Sequence, residues 1–197
     1  MADELKRRLV HASGSGLVAL YLLAGVLSLG LTWQRFQWLV GLLAAGAVGL
    51  EVLRLLFGIE WWLFDKLTRE YEAETVAGYV WYMVSMAVVV LVFSANIALP
   101  AMLMLSLGDP ISGIISADSL QRVKDRRTLV GMFVLCAAIA TPFLYEYPLA
   151  VLAAAFGATV ADGVTVKRGD FVLDDNLTIP IYAGVAAWIA IQIGPFW

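Results

Sequence analysis

The chain has 197 residues, of which 61% are hydrophobic and 15% charged, with a mean hydropathy of +0.85. That apolar content exceeds what a soluble core of this length uses, and a net charge of −3 does not indicate a nucleic-acid partner. A single cysteine, Cys136, excludes an intrachain disulfide framework and a cysteine metal cluster.

Apolar runs approaching the length needed to cross about 30 Å of hydrocarbon recur at 9–31, 37–57, 77–94, 96–107, 129–145, 148–162 and 178–196. The expectation is therefore an all-α polytopic membrane protein of about seven transmembrane helices, forming one domain over 1–197. The first run follows Lys6-Arg7-Arg8 and leads into no small-residue cleavage site, so it is expected to be a retained span. His11 lies four residues after Arg7; on helical spacing it shares the face of Arg7 and Arg8, as an interfacial polar residue or a base. Near the end of the second run, Glu51 and Arg54 share a helical face, where they either neutralise each other or meet a substrate. Residues 58–72, with apolar positions at 59, 62, 63 and 67 among charges, suit an interfacial amphipathic helix anchored by Trp61 and Trp62.

The fourth run is short and contains Pro100, which predicts a tilted, kinked or broken segment. It leads into Ser106-Leu-Gly-Asp-Pro-Ile-Ser-Gly113. Here Gly108 permits close backbone approach, Asp109 is a candidate metal ligand, and Pro110 is expected to end the helix. Arg122, Lys124, Arg126 and Arg127 follow, suited to neutralising phosphates. Asp162 closes the sixth run, as a loop residue or another metal ligand. Asp174, Asp175 and Asn176 open the seventh, where they either cap a helix or face the Gly-Asp-Pro segment as metal or ribose ligands. With the N-terminus inside, twelve lysines and arginines fall on inner segments and only Arg35 on an outer one. The positive-inside rule then predicts a cytoplasmic N-terminus and a polar cluster at the cytoplasmic face of the cell membrane.

Taken together, Arg7-Arg8-Leu-Val-His11, Glu51 with Arg54, Gly78 with Tyr82, Leu107-Gly-Asp-Pro110 and Asp174-Asp-Asn-Leu-Thr-Ile-Pro180 resemble the CTP-dependent polyprenol and lipid kinases. That family includes dolichol kinase, phytol kinase and the yeast-type diacylglycerol kinase, and is more distantly related to phosphatidate cytidylyltransferase. The closest likeness is to archaeal dolichol kinase-like proteins. The resemblance implies transfer of the γ-phosphoryl of CTP to an isoprenoid alcohol with Mg²⁺ or a similar cation. It implies catalytic roles for Asp109, Asp174 and Asp175, and metal binding by Asp109, Asp162 and Asp174. Gly108, Asp109, Pro110, Arg122, Lys124, Arg126, Arg127, Thr128 and Asn176 would hold the nucleotide. Arg7, Arg8, His11, Glu51 and Arg54 would complete the polar site. The chain departs from the family at Arg127-Thr-Leu-Val-Gly-Met132, where Val130 stands in place of an acid. Two other readings are a cytidylyltransferase joining CMP to a lipid phosphate and a transporter or structural membrane protein. Against transport, the outer halves of the runs offer little beyond Asn96, Thr141 and Glu146.

Overall fold

The structure, a computed structural model, describes residues 11–59, 61, 64, 68, 72, 74–116, 123–164, 167–168 and 171–194; of 167–168 and 171–172 only the backbone is described. Apolar helices dominate it in chain order: α1 (Ser15–Val26), α2 (Trp33–Phe57), α3 (Gly78–Val92), α4 (Ala95–Ile115), α5 (Arg126–Leu144), α6 (Pro148–Gly163) and α7 (Asp175–Ile193). Between α6 and α7 runs a small antiparallel ribbon, β1 (Lys167–Arg168) and β2 (Phe171–Val172), with Lys167 opposite Val172. The described fold is thus helical apart from this ribbon and one isolated bridge, Val123 to Val164.

Helix ends follow local chemistry. Thr32 caps α2 by accepting from the Arg35 amide at 3.3 Å, and Gly58 ends it in the left-handed region at φ 60°. Asp125 caps α5, accepting from the Arg127 and Thr128 amides at 2.8 and 3.0 Å. Pro148, whose missing N–H costs nothing in a first turn, opens α6.

Four helices, α2, α4, α5 and α7, are long and apolar enough to cross a membrane, while α1, α3 and α6 are apolar but shorter. Large side chains such as Trp38, Leu42, Leu56, Val134 and Phe156 face outward, as a lipid-facing surface requires. At the centre stands α4, with 67% of its most apolar window buried against 22% for α2.

Small residues set the tightest crossing. Ala150, Ala154, Ala158 and Ala161 of α6 are buried, as are Ala183, Gly184, Ala187 and Ala190 of α7. A Cβ on Gly157 would lie 2.6 Å from the Tyr182 carbonyl oxygen, so the two backbones approach where only glycine fits. This seam holds the end of α6 beside the start of α7.

One expectation changes here. Pro110 does not end the fourth helix, which runs on to Ile115. An α-helical proline would crowd the carbonyl four residues back, but the turn before it, Met104–Gly108, is π-helical. That wider turn opens the hydrogen-bond ladder, and Pro110 occupies the first turn of the α segment that resumes. The amphipathic helix expected over 58–72 lies largely outside the described residues.

Candidate functional site

Three carboxylates converge at one end of the bundle. Asp109 begins the α segment after the π turn, Asp162 sits one residue before the end of α6, and Asp175 is the first residue of α7. One oxygen of each lies within 4.8 Å of those of the others. At that distance each pair of negative charges repels by about 3 kcal/mol in an effective dielectric near 20, so the cluster calls for cations.

One cation is built in. Lys124 Nζ lies 2.7 Å from Asp162 Oδ1 and 3.2 Å from Ser112 Oγ, while the Ser112 hydroxyl donates to Asp162 Oδ2 at 2.6 Å. The backbone places this lysine: the Lys124 amide donates to the Gly163 carbonyl at 3.0 Å, beside the Val123–Val164 bridge. One ammonium against three carboxylates leaves an excess of negative charge if all are ionised. Ser112 had no role in the sequence-based set. Its signal was present, since it lies three residues after Asp109 on the same helical face.

On the other side, His11 Nδ1 lies 3.0 Å from Asp109 Oδ2. Its ring meets Tyr82 edge-on with centroids 4.5 Å apart, and the Tyr82 hydroxyl donates to the His11 carbonyl at 3.1 Å. Gly14 makes room for this tyrosine, because a Cβ there would fall 1.7 Å from the hydroxyl oxygen.

The remaining candidates are placed differently. Asp174 is the α7 N-cap: its Oδ1 accepts from the Asn176 amide at 2.9 Å and from Asn176 Nδ2 at 2.8 Å. The adjacent Asp175, rather than Asp174, therefore joins Asp109 and Asp162. Asn176 uses its side chain on Asp174 and its carbonyl on Ser85 Oγ at 2.7 Å. Gly108 faces Met132 and Cys136, where its missing side chain lets α4 and α5 pack closely. Pro110 is buried. Arg126 and Arg127 are exposed in the first turn of α5, and the Thr128 hydroxyl donates to Asp125 Oδ2 at 2.8 Å. Those bonds, the Thr128 amide first, hold the Asp125 carboxyl below its ordinary pKa. Arg7, Arg8 and Arg122 lie outside the described residues.

Glu51 and Arg54 form a separate clasp. The Arg54 Nε and Nη2 atoms donate to Glu51 at 2.9 and 2.8 Å, and Nη2 also reaches the Glu72 and Thr75 carbonyls. Glu51 in turn accepts from the Ala77 amide and the Tyr79 hydroxyl, each at 2.7 Å. With both carboxylate oxygens engaged, the pair ties the end of α2 to the start of α3. Gly78 follows directly, and a Cβ there would come within 3.1 Å of Asn176 Nδ2 and 3.7 Å of Asp174 Oδ2. The clasp thereby supports the head of α7 from behind the acidic cluster.

Chemically, the cluster offers hard oxygen donors for a divalent cation and an ammonium suited to an anion, at one end of an apolar bundle. Compared with family models, with curated proteins and with solved structures, the chain matches none.

Proposed function

We propose that this protein is an integral-membrane lipid-alcohol kinase that transfers the γ-phosphoryl group of CTP to a polyprenol- or dolichol-type isoprenoid alcohol. The observation that carries the proposal is the convergence of Asp109, Asp162 and Asp175, drawn from three helices, with Lys124 and Ser112 beside them. Phosphoryl transfer asks a protein mainly for positioning and for neutralisation of charge on the transferring group, and this set of residues has the groups for both.

The donor set fits Mg²⁺, since three carboxylates within 4.8 Å satisfy a hard cation's preference for oxygen and gain from its charge. Asp109, Asp162 and Asp175 would hold the ion, which when bound would neutralise the phosphate oxygens of the nucleotide. Lys124 contributes a point charge at the same place, and Arg126 and Arg127 add exposed guanidinium groups at the entrance. Ser112 fixes the Asp162 carboxylate through its hydroxyl, so the position of that ligand is set before substrate arrives. The acceptor alcohol enters laterally from the bilayer with its tail along apolar helices. The choice of CTP follows from the family resemblance of the sequence.

Topologically, we propose seven spans with a cytoplasmic N-terminus in the cell membrane, with the acidic cluster at the cytoplasmic face. The lysine and arginine asymmetry supports this orientation. The test is a transfer assay on the full chain reconstituted with polyprenol, Mg²⁺ and CTP labelled at either the γ or the α phosphorus. Label from the γ position should enter lipid, and Asp109→Asn should abolish it. Label entering from the α position means cytidylyl transfer instead, and no incorporation into any lipid alcohol refutes the kinase.

A further inference from the structure

Among the described residues, one buried side-chain nitrogen or oxygen atom has no hydrogen-bond partner: His11 Nε2. The His11 side chain exposes only 10% of its surface, and buried polar atoms left unsatisfied are uncommon enough to require a cause. The other ring nitrogen, Nδ1, faces Asp109 Oδ2 at 3.0 Å. An ionised carboxylate only accepts, so the proton of this hydrogen bond resides on Nδ1. That leaves a lone pair on Nε2 in the neutral ring and an N–H in the charged one, and a hydroxyl can answer either, donating to the first or accepting from the second. A phosphate oxygen only accepts and so answers the charged ring alone.

Position narrows the choice further. Nε2 is one ring carbon away from Nδ1 and points the other way, so whatever bonds to it lies across the ring from the Asp109 carboxylate, about 8 Å from Oδ2 for two hydrogen bonds near 3 Å, at the same end of the bundle. His11 also lies four residues before the start of α1, an apolar helix whose Leu20, Leu22 and Leu23 are exposed. A molecule with a hydroxyl head and a hydrocarbon tail can place the head on Nε2 and run the tail down this helix. Tyr82 holds the ring edge-on and the His11 backbone by its hydroxyl, which fixes the direction of Nε2.

We propose that His11 Nε2 receives the hydroxyl of the acceptor alcohol and aims its oxygen at the transferring phosphorus. The proposal rests on the kinase assigned above and names a residue that touches the acceptor. In the step, the alcohol oxygen forms a bond to the γ phosphorus while the bond from that phosphorus to the β-bridging oxygen breaks. The nucleoside diphosphate leaves with the electron pair, and the hydroxyl proton passes to water. Asp109 keeps the ring oriented through Nδ1, as carboxylates do for catalytic imidazoles.

Two variants of the full chain separate this role from a structural one. In His11→Asn, the side-chain amide can replace Nδ1–H as donor to Asp109, but nothing stands where Nε2 was. In His11→Gln, the amide reaches the Nε2 position instead. The measurements are transfer from γ-labelled CTP to polyprenol in liposomes and, separately, affinity for CTP with Mg²⁺. His11→Asn is expected to bind nucleotide within about twofold of wild type yet transfer about 100-fold more slowly or worse, the scale for a misplaced reactant. His11→Gln is expected to fall between the two. Transfer by His11→Asn within threefold of wild type overturns the proposal and leaves His11 as a support for Asp109. A His11→Asn variant that loses nucleotide affinity in parallel with transfer also overturns it, by assigning Nε2 to the nucleotide. A wild-type chain that phosphorylates no alcohol removes the kinase itself, and the acceptor role with it.

Discussion

Gly157→Ala tests whether the seam between α6 and α7 positions the acidic cluster. An alanine Cβ would lie 2.6 Å from the Tyr182 carbonyl oxygen, 2.9 Å from its carbon and 3.2 Å from the Ala186 Cβ. Ordinary contact begins at 3.4 Å, so the helices must separate by about 0.8 Å at this level (3.4 − 2.6). The obstacle is backbone, which has no rotamer by which to withdraw. Overpacking of this kind costs about 1–3 kcal/mol, against which alanine recovers roughly 1 kcal/mol of helix propensity. The net expectation is a loss of up to about 2 kcal/mol, whereas Gly→Ala at an open helical position gains roughly 1 kcal/mol. Asp162 lies five residues further along α6, about 7.5 Å by helical rise, so the displacement is transmitted to the carboxylates. Thermal unfolding in detergent micelles should show a lower Tm than wild type, together with weaker stabilisation by Mg²⁺. Gly46→Ala in α2 is the control: nothing lies within 4 Å of its Cβ, so it should be neutral or stabilising. A Gly157→Ala protein as stable as Gly46→Ala would refute the close-approach argument.

Other substitutions test separate parts of the assembly. Glu51→Gln leaves the Arg54 guanidinium without its carboxylate partner and should cost about 2–3 kcal/mol in unfolding experiments; an unchanged Tm with lost transfer would instead assign Glu51 to substrate. Asp174→Asn retains an N-cap oxygen while removing a charge, so it should keep both stability and transfer, whereas Asp175→Asn should lose transfer and Mg²⁺-dependent stabilisation. The reverse ranking would return Asp174 to the cation. Because Asp125 has its folded-state pKa below the ordinary 3.8, its contribution to stability is present above about pH 4 and is lost as pH falls through the depressed value. The Tm difference between wild type and Asp125→Asn should therefore shrink on acidification below about pH 4, and a difference that is constant with pH would contradict that linkage.

The apolar runs were legible because each buried or lipid-facing helix needs a continuous hydrophobic stretch, and the described helices overlap all seven. The pairing of Glu51 with Arg54 was legible for a similar reason, being local to one helical turn. Asp174 and Asp175 were harder to separate. Adjacent residues at a helix start point about 100° apart, and which one caps depends on where the first turn closes. The Lys124–Asp162–Ser112 set was hidden because it joins three segments far apart in sequence, with separations of 38 and 50 residues for the two contacts to Asp162. The continuation of α4 past Pro110 was missed because local rules stop helices at proline, whereas a wider preceding turn relieves the clash.

That wider turn carries a genetic consequence. A π turn holds one residue more than the α turn it replaces, so Met104–Gly108 is equivalent to a single-codon insertion into an uninterrupted helix. Each residue rotates a helix by about 100°, and the extra one turns Asp109 toward Asp162 and Asp175. Deleting one codon there would preserve every carboxylate in the gene and still direct Asp109 elsewhere. A homologue with all three acids but one residue fewer between Pro100 and Asp109 would therefore carry the letters of the cluster without its geometry.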